Sequence, residues 1–361
     1  MRKIVYLLLV LVLLAACSND EGSATDNETE DMDRKEKVES SEPESEIPAT
    51  TDDEQDKSEN VFPLTGMETD AKVDNRIVGV MVNNHDAARP QSGLSQADIV
   101  FEMLAEGNIT RFLAFYQSEM PEVVGPVRSA REYYFELATG YNALYVYHGA
   151  ANFVNDMIED RGIEHLDGAV YDNNGTLFKR ESFREAPHNS YLQFAGVYDY
   201  AGEKGYDTTA TSEPLPFLAE DEVQELPGDT ANHVEIVYSN NPMQIVEFSY
   251  DENSKTYIRY NDREKSVDLN ASDPIEADNV FIIEAEHEVI DDAGRRAIDL
   301  ESGGNGYLFQ KGNVQEVQWK NQDGRIVPVK DDVPVGFVPG KTWVNIVPTS
   351  PGIGQAVSIS N

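Results

Sequence analysis

Residues 18 to 60 hold 17 Asp and Glu against 4 Lys and Arg, with Ser, Thr, Pro and Asn in the gaps and almost no large apolar side chain. A segment of that composition cannot bury enough surface to offset the entropy of ordering its chain, so it is expected to stay disordered. Folding is thereby confined to residues 61 to 361, a length that suggests two domains. A coil of this size spans about 35 Å on average, and self-repulsion extends it further. The stretch reads as a disordered acidic tether.

The residues before the tether explain why one is there. Arg2 and Lys3 precede an apolar run of 11 residues from Ile4 to Leu14, and Leu14-Ala-Ala-Cys17 follows at once. The run is too short for a membrane span, which needs about 20 residues, and suits the core of an export signal. Leu-Ala-Ala-Cys resembles the lipobox of bacterial lipoproteins, in which the cysteine thiol takes a diacylglyceryl group and becomes the new N-terminus. Cys17 is the single cysteine of 361 residues, so an internal disulfide is excluded and lipidation is the expected role of this thiol. Two acyl chains hold a protein stably where one is marginal. Residues 1 to 17 are read as a lipoprotein signal peptide, and the protein is expected on the outer face of the cytoplasmic membrane.

The formal net charge is −38. Such acidity argues against nucleic acid as a partner, since phosphate-backbone binding needs a basic footprint.

From Arg76 to about Tyr206 strand-like and helix-like segments alternate. Residues 77 to 82 read as a buried strand, 98 to 104 and 110 to 117 as a hairpin, and 143 to 147 as another strand. Helices are expected over residues 130 to 139, about 152 to 160 and about 191 to 203. Residues 61 to 208 are therefore expected to form an α/β or α+β domain. Residues 209 to 232, rich in proline and acids, read as a linker. From 233 to 361 short β segments separated by turn pairs predict a mostly antiparallel β domain.

Between His85 and Ser190 stand Arg89, Arg111, Arg128, Arg131, Arg161, Arg180 and Arg184, against one lysine, Lys179. Arginine is preferred to lysine where a planar fork must grip a carboxylate or phosphate. Two of these arginines lie in Val124-Gly-Pro-Val-Arg-Ser-Ala-Arg-Glu132, where Ser129 and Glu132 have capping-box spacing. A helix N-terminus flanked by Arg128 and Arg131 is a candidate anion site. His148 follows a strand and precedes a helix, and His188-Asn-Ser190 is also expected before a helix. Strand ends of that kind are where open α/β sheets place ligands. Arg89, Arg111, Arg128, Ser129, Arg131, His148, His188 and Asn189 are the candidate ligand-binding set. The competing reading is an internal ion-pair network with Asp98, Glu102 or Glu136. Asp98 and Glu102 share one face of an expected strand, so they are candidates for holding a divalent metal, Mg or Mn, with Asp98 also the candidate catalytic base. Their alternative role is ion pairing with Arg111 or Arg89. No phosphate-cradling glycine loop, paired cysteines, His-Glu-x-x-His or Gly-x-Ser-x-Gly is present, and no cofactor is established.

Arg89-Pro-Gln-Ser-Gly-Leu-Ser-Gln-Ala-Asp98, Ile109-Thr-Arg-Phe112, Gly125-Pro-Val-Arg-Ser-Ala-Arg131, Tyr141-Asn-Ala143, His165-Leu-Asp167 and Ala186-Pro-His-Asn189 resemble the YerB-like lipoproteins. So do Gly304-Asn-Gly-Tyr-Leu-Phe309, Trp319 and Pro339-Gly-Lys-Thr-Trp343. These are membrane-anchored bacterial proteins with a domain of unknown function and a smaller β-rich C-terminal domain. The resemblance implies architecture and location, and supplies no activity. The order of Asp98, Arg128 and Tyr141-Asn-Ala-Leu-Tyr-Val-Tyr147 is also similar to the LytR-CpsA-Psr phosphotransferases, which hold a polyprenyl pyrophosphate and a metal with arginines and an aspartate. Ser95-Gln-Ala-Asp98 lacks the arginine of that pattern, and Val127-Arg-Ser129 lacks its aspartate. Three functions follow as expectations: a lipoprotein that binds an anionic envelope ligand, a metal-dependent phosphotransferase-like enzyme, or a non-catalytic scaffold for a protein partner.

Overall fold

The structure, a computed structural model, describes residues 60 to 238 and 244 to 361. The signal peptide, Cys17 and the tether lie outside the described residues. The described residues form one compact unit.

The strongest apolar runs of the sequence become the strands of one sheet. Among the described residues twelve strands join in it. Eleven run in the order Val333–Pro334, Arg325–Lys330, Asn313–Gln322, Gly304–Gln310, Asn279–Ala285, Thr342–Pro348, Ile99–Leu104, Thr110–Tyr116, Val78–Asn83, Leu144–Tyr147 and His165–Asp167. The seam between the two halves of the chain is parallel: Thr342–Pro348 pairs with Asn279–Ala285 on one side and Ile99–Leu104 on the other. Successive side chains of a strand point to opposite faces. Val78, Val80 and Val82 accordingly enter one apolar core, Ile77 and Met81 the other, and all five are buried. A sheet covered on both faces needs no polar alternation, which is why these strands read as continuous hydrophobic runs.

The first core lies beneath a second, antiparallel sheet that includes Thr256–Asn261, Ile245–Asp251, His233–Val237 and Val357–Ser360. The second is closed by two short helices, Glu132–Gly140 and Asn152–Asp160. Tyr133, Tyr134, Phe135, Leu137 and Ala138 are buried on the first of these.

The C-terminal half is largely antiparallel, as expected. The N-terminal half is not clearly α/β, which corrects the first of the two alternatives expected for it. Val78–Asn83 runs antiparallel to Thr110–Tyr116 and parallel to Leu144–Tyr147, so the sheet is mixed, and its helices are short. Two local expectations also change. The helix foreseen from 191 starts at Val197, because Tyr191 and Leu192 extend and pair with Phe178–Arg180 and Val124. The capping box is absent as well: Arg131 occupies the N-cap position without a side-chain bond, and Glu132 turns outward to Arg161.

At the end of its helix, Gly140 packs against the turn containing Gly324. A β-carbon on Gly140 would stand 2.1 Å from the carbonyl oxygen of Gly324. Backbone cannot swing aside as a side chain can, so Gly140→Ala must part the helix from the hairpin. A loss of about 1 to 3 kcal/mol is expected, measurable by urea unfolding. An unchanged midpoint would show that the two elements separate freely.

Candidate functional site

Three segments meet beside the carboxyl ends of the parallel strands Val78–Asn83, Leu144–Tyr147 and His165–Asp167. The segment Val124 to Arg128 runs between them and is stitched by its backbone. The Arg128 amide donates to the Met81 carbonyl at 3.0 Å, the His148 amide to the Arg128 carbonyl at 3.0 Å, and the Val127 amide to the Ser190 carbonyl at 2.7 Å. Asp167 fixes the next loop, accepting from the amides of Gly149 and Ala169 at 2.7 and 2.8 Å. Arg128 thus comes within electrostatic reach of both His148 and His188, although His188 precedes a strand and not a helix.

Arg128 has no carboxylate partner among the described residues, and its Nε is buried without an acceptor. Burial first, and then the neighbouring Arg111 cation, lower its pKa to about 10. It is still charged at neutral pH. Each imidazole has a defined role. The Arg180 guanidinium can only donate, and it lies 3.3 Å from His148 Nε2, so that nitrogen accepts. The proton therefore sits on Nδ1 and is given to the Ser190 hydroxyl at 2.8 Å. That is the reverse of a histidine withdrawing a proton from a serine nucleophile. His188 Nδ1 accepts from the Asn83 amide group at 2.9 Å and its ring lies 4.6 Å from that of His85. Burial and Arg180 lower the His148 pKa below the ordinary imidazole value, and burial and His85 do the same for His188, with Arg128 adding to both. Arg180 is itself paired with Asp172 and donates to Asn189 Oδ1 at 2.8 Å. Asn189 therefore positions Arg180.

Arg111, close to Arg128, shares one carboxylate with Arg131, that of Glu106, which stands 2.6 Å from Arg111. Arg111 also donates to the Ser129 carbonyl at 3.1 Å, so Ser129 contributes its backbone. Arg89 leaves the group: its Nη1 pairs with Asp262 at 2.7 Å and it donates to the Asn84 carbonyl. It lines a separate cleft of about 270 Å³ with Gln91, Arg259 and Ser266.

The expected carboxylate pair is corrected. Asp98 is fully buried, accepts from the amides of Gln117 and Ser118 and from the Ser118 hydroxyl, and is pushed up to about 6 by burial. Glu102 accepts from Arg259 Nη2 with both of its oxygens, and also from Trp343 Nε1 and from Thr110. Protein donors already occupy both groups, so neither is an open metal ligand and Asp98 is not placed as a base. Among the described residues no cluster of three or more His, Cys, Asp or Glu side chains is arranged to hold a metal ion.

Asn83, His85, Ser190 and Glu106 are not in the candidate set, although Asn83-Asn-His-Asp86 places polar groups at the end of an expected strand.

Residues 64–207 match the family model described as the N-terminal domain of a protein of unknown function (DUF3048), and residues 234–344 match its C-terminal domain. The chain belongs to the DUF3048 family. A Bacillus subtilis (strain 168) relative named "Putative lipoprotein YerB" is 48% identical over 288 residues, covering 79% of this chain and 86% of that protein. The crystal structure of YerB from Bacillus subtilis superposes with a TM-score of 0.77 at 46% identity, covering 84% of this chain and all of that one. The DUF3048 halves meet in the shared twelve-stranded sheet, and no described helix is long and apolar enough to cross a membrane.

Proposed function

We propose that this DUF3048 protein is a lipoprotein anchored through Cys17 on the outer face of the cytoplasmic membrane, and that it binds an anionic, phosphate- or carboxylate-bearing ligand of the cell envelope in the crevice around Arg128. The observation that carries the reading is Arg128 itself. In a chain of net charge −38, a half-buried guanidinium without a carboxylate, its Nε shielded from solvent, is an unusual expense unless an acceptor arrives from outside. His148 lies near it at the carboxyl end of Leu144–Tyr147, where open sheets seat ligands, and His188 is within electrostatic reach. The Cys17 anchor is supported by the lipobox resemblance and by the name of the Bacillus relative.

Thermal shift on the soluble residues 56 to 361 tests the anion site. An anion at about 100 times its dissociation constant adds about 2.7 kcal/mol of stability, which corresponds to several degrees. Phosphate, pyrophosphate, sulfate and small carboxylates form the panel, and a melting temperature unmoved by all of them contradicts the reading.

The two imidazoles predict a pH dependence. Their folded pKa values are depressed, so without ligand the neutral forms are favoured and stability is lost as pH falls below the ordinary value of about 6.5. A bound anion favours the protonated forms, so the complex takes up protons and affinity rises as pH falls. Sulfate, whose charge is constant there, is expected to bind more tightly at pH 5.5 than at pH 7.5 by calorimetric titration. Equal affinities would remove His148 and His188 from the site.

A further inference from the structure

Glu106 sits at the tip of a hairpin, between Ile99–Leu104 and Thr110–Tyr116, and its carboxylate is the single negative charge on Arg111 and Arg131 among the described residues. Two more guanidiniums adjoin them. Arg128 lies close enough to Arg111 for their charges to interact, and Arg296 donates to the carbonyl of Gly107, the next residue of the same turn, at 2.8 Å. Tyr133 is within electrostatic reach of Arg111, Arg131 and Arg296. Four guanidiniums are therefore gathered about this turn, and its carboxylate pairs with two of them, Arg111 and Arg131. Arg128, Arg131 and Arg296 each also bury an Nε with no acceptor, and Arg131 is 7% exposed. One carboxylate offers two oxygens and one charge. The cluster has more donors and more charge than Glu106 satisfies, and its carboxylate holder stands on a turn whose Gly107 meets nothing within 4 Å of where a β-carbon would point.

We infer that Glu106 is a displaceable internal counter-ion, and that the ligand is an oxyanion of at least two negative charges that takes its place across Arg111, Arg128, Arg131 and Arg296. A phosphate monoester or a diphosphate has the charge and the oxygens to meet the unpaired Nε–H groups, and a single carboxylate does not. The hairpin tip gates the site: with Glu106 seated, Arg111 and Arg131 are buried beneath it, and ligand entry swings the carboxylate out to solvent. The inference rests on the anion-site reading above.

The test is calorimetric titration of residues 56 to 361 with pyrophosphate and acetate, on the unsubstituted chain, E106Q and E106D. Removing the internal competitor is expected to tighten pyrophosphate binding by about 10-fold, a free-energy change of about 1.4 kcal/mol. E106D, which keeps the charge on a shorter arm, is expected to gain less in the same direction. E106Q alone is expected to melt lower than the unsubstituted chain and to be restored by pyrophosphate, since two guanidiniums have lost their partner. Acetate is expected to bind none of the three. Pyrophosphate binding that is unchanged or weaker in both variants, or acetate binding as tight as pyrophosphate, overturns the inference while leaving the Arg128 site intact. No binding by any chain overturns both. Sedimentation with phosphatidylcholine vesicles, with and without phosphatidic acid, separates the two sources of such a group. Vesicle binding enhanced by E106Q only when phosphatidic acid is present assigns a lipid headgroup, and a gain with pyrophosphate alone assigns a soluble phosphate.

Discussion

Arg259→Met is expected to destabilise the protein by about 3 to 5 kcal/mol, the usual cost of removing one partner from a buried ion pair. Arg259 on Thr256–Asn261 is 3% exposed and Glu102 on Ile99–Leu104 is 0% exposed. Both oxygens of Glu102 accept from Arg259, at 3.0 and 2.9 Å, and the guanidinium lies against the rings of both Phe112 and Trp343. The pair bolts the N-terminal half to the C-terminal half. Without the arginine, a carboxylate remains inside the molecule with only Asn84, Thr110 and Trp343 to solvate it. Urea unfolding measures the loss. The double variant Glu102→Leu with Arg259→Met removes both charges and is expected to recover most of it. A single variant within about 0.5 kcal/mol of the unsubstituted chain, the range of an ordinary surface change, would show that Glu102 is not charged or not held there.

The second large effect is on binding. Arg128→Ala is expected to weaken phosphate or pyrophosphate binding by about 10- to 100-fold, corresponding to the roughly 1.5 to 3 kcal/mol of a hydrogen bond to a charged group. Its stability in the absence of anion is expected to stay level or rise slightly, because no protein carboxylate loses a partner. The contrast separates a ligand arginine from a structural one. A variant that loses several kcal/mol of stability would place Arg128 in an internal ion-pair clamp. Arg161→Ala is the control: its charge pairs with Glu132 and Glu136 at the surface, and such exposed pairs contribute about 0 to 1 kcal/mol. It should leave anion binding unchanged.

The elements carried by local pattern were legible in the sequence. The helix Asn152–Asp160 and the hairpin of Ile99–Leu104 and Thr110–Tyr116 follow from apolar spacing and turn residues. The positions of Arg128, His148 and His188 were legible in the same way, since each stands where one element gives way to another. What escaped was decided by pairings far apart along the chain. Glu102 finds Arg259 and Arg89 finds Asp262, partners more than 150 positions away. The insertion of Thr342–Pro348 between Ile99–Leu104 and Asn279–Ala285 leaves no local trace either. Ser129 and Glu132 have the spacing of a cap, but Arg161 offers Glu132 a stronger partner and the helix begins later. Glu106 falls between the two strands of the expected hairpin, and nothing in its neighbourhood of sequence marks it as the counter-ion of two arginines.

The most direct measurement is a crystal structure of residues 56 to 361 grown with tungstate, a heavy-atom stand-in for phosphate. The account predicts one anomalous peak within hydrogen-bonding distance of the Arg128 guanidinium, between His148 and His188. Tungstate found only elsewhere, with Arg128 turned to a carboxylate of the chain, would contradict it.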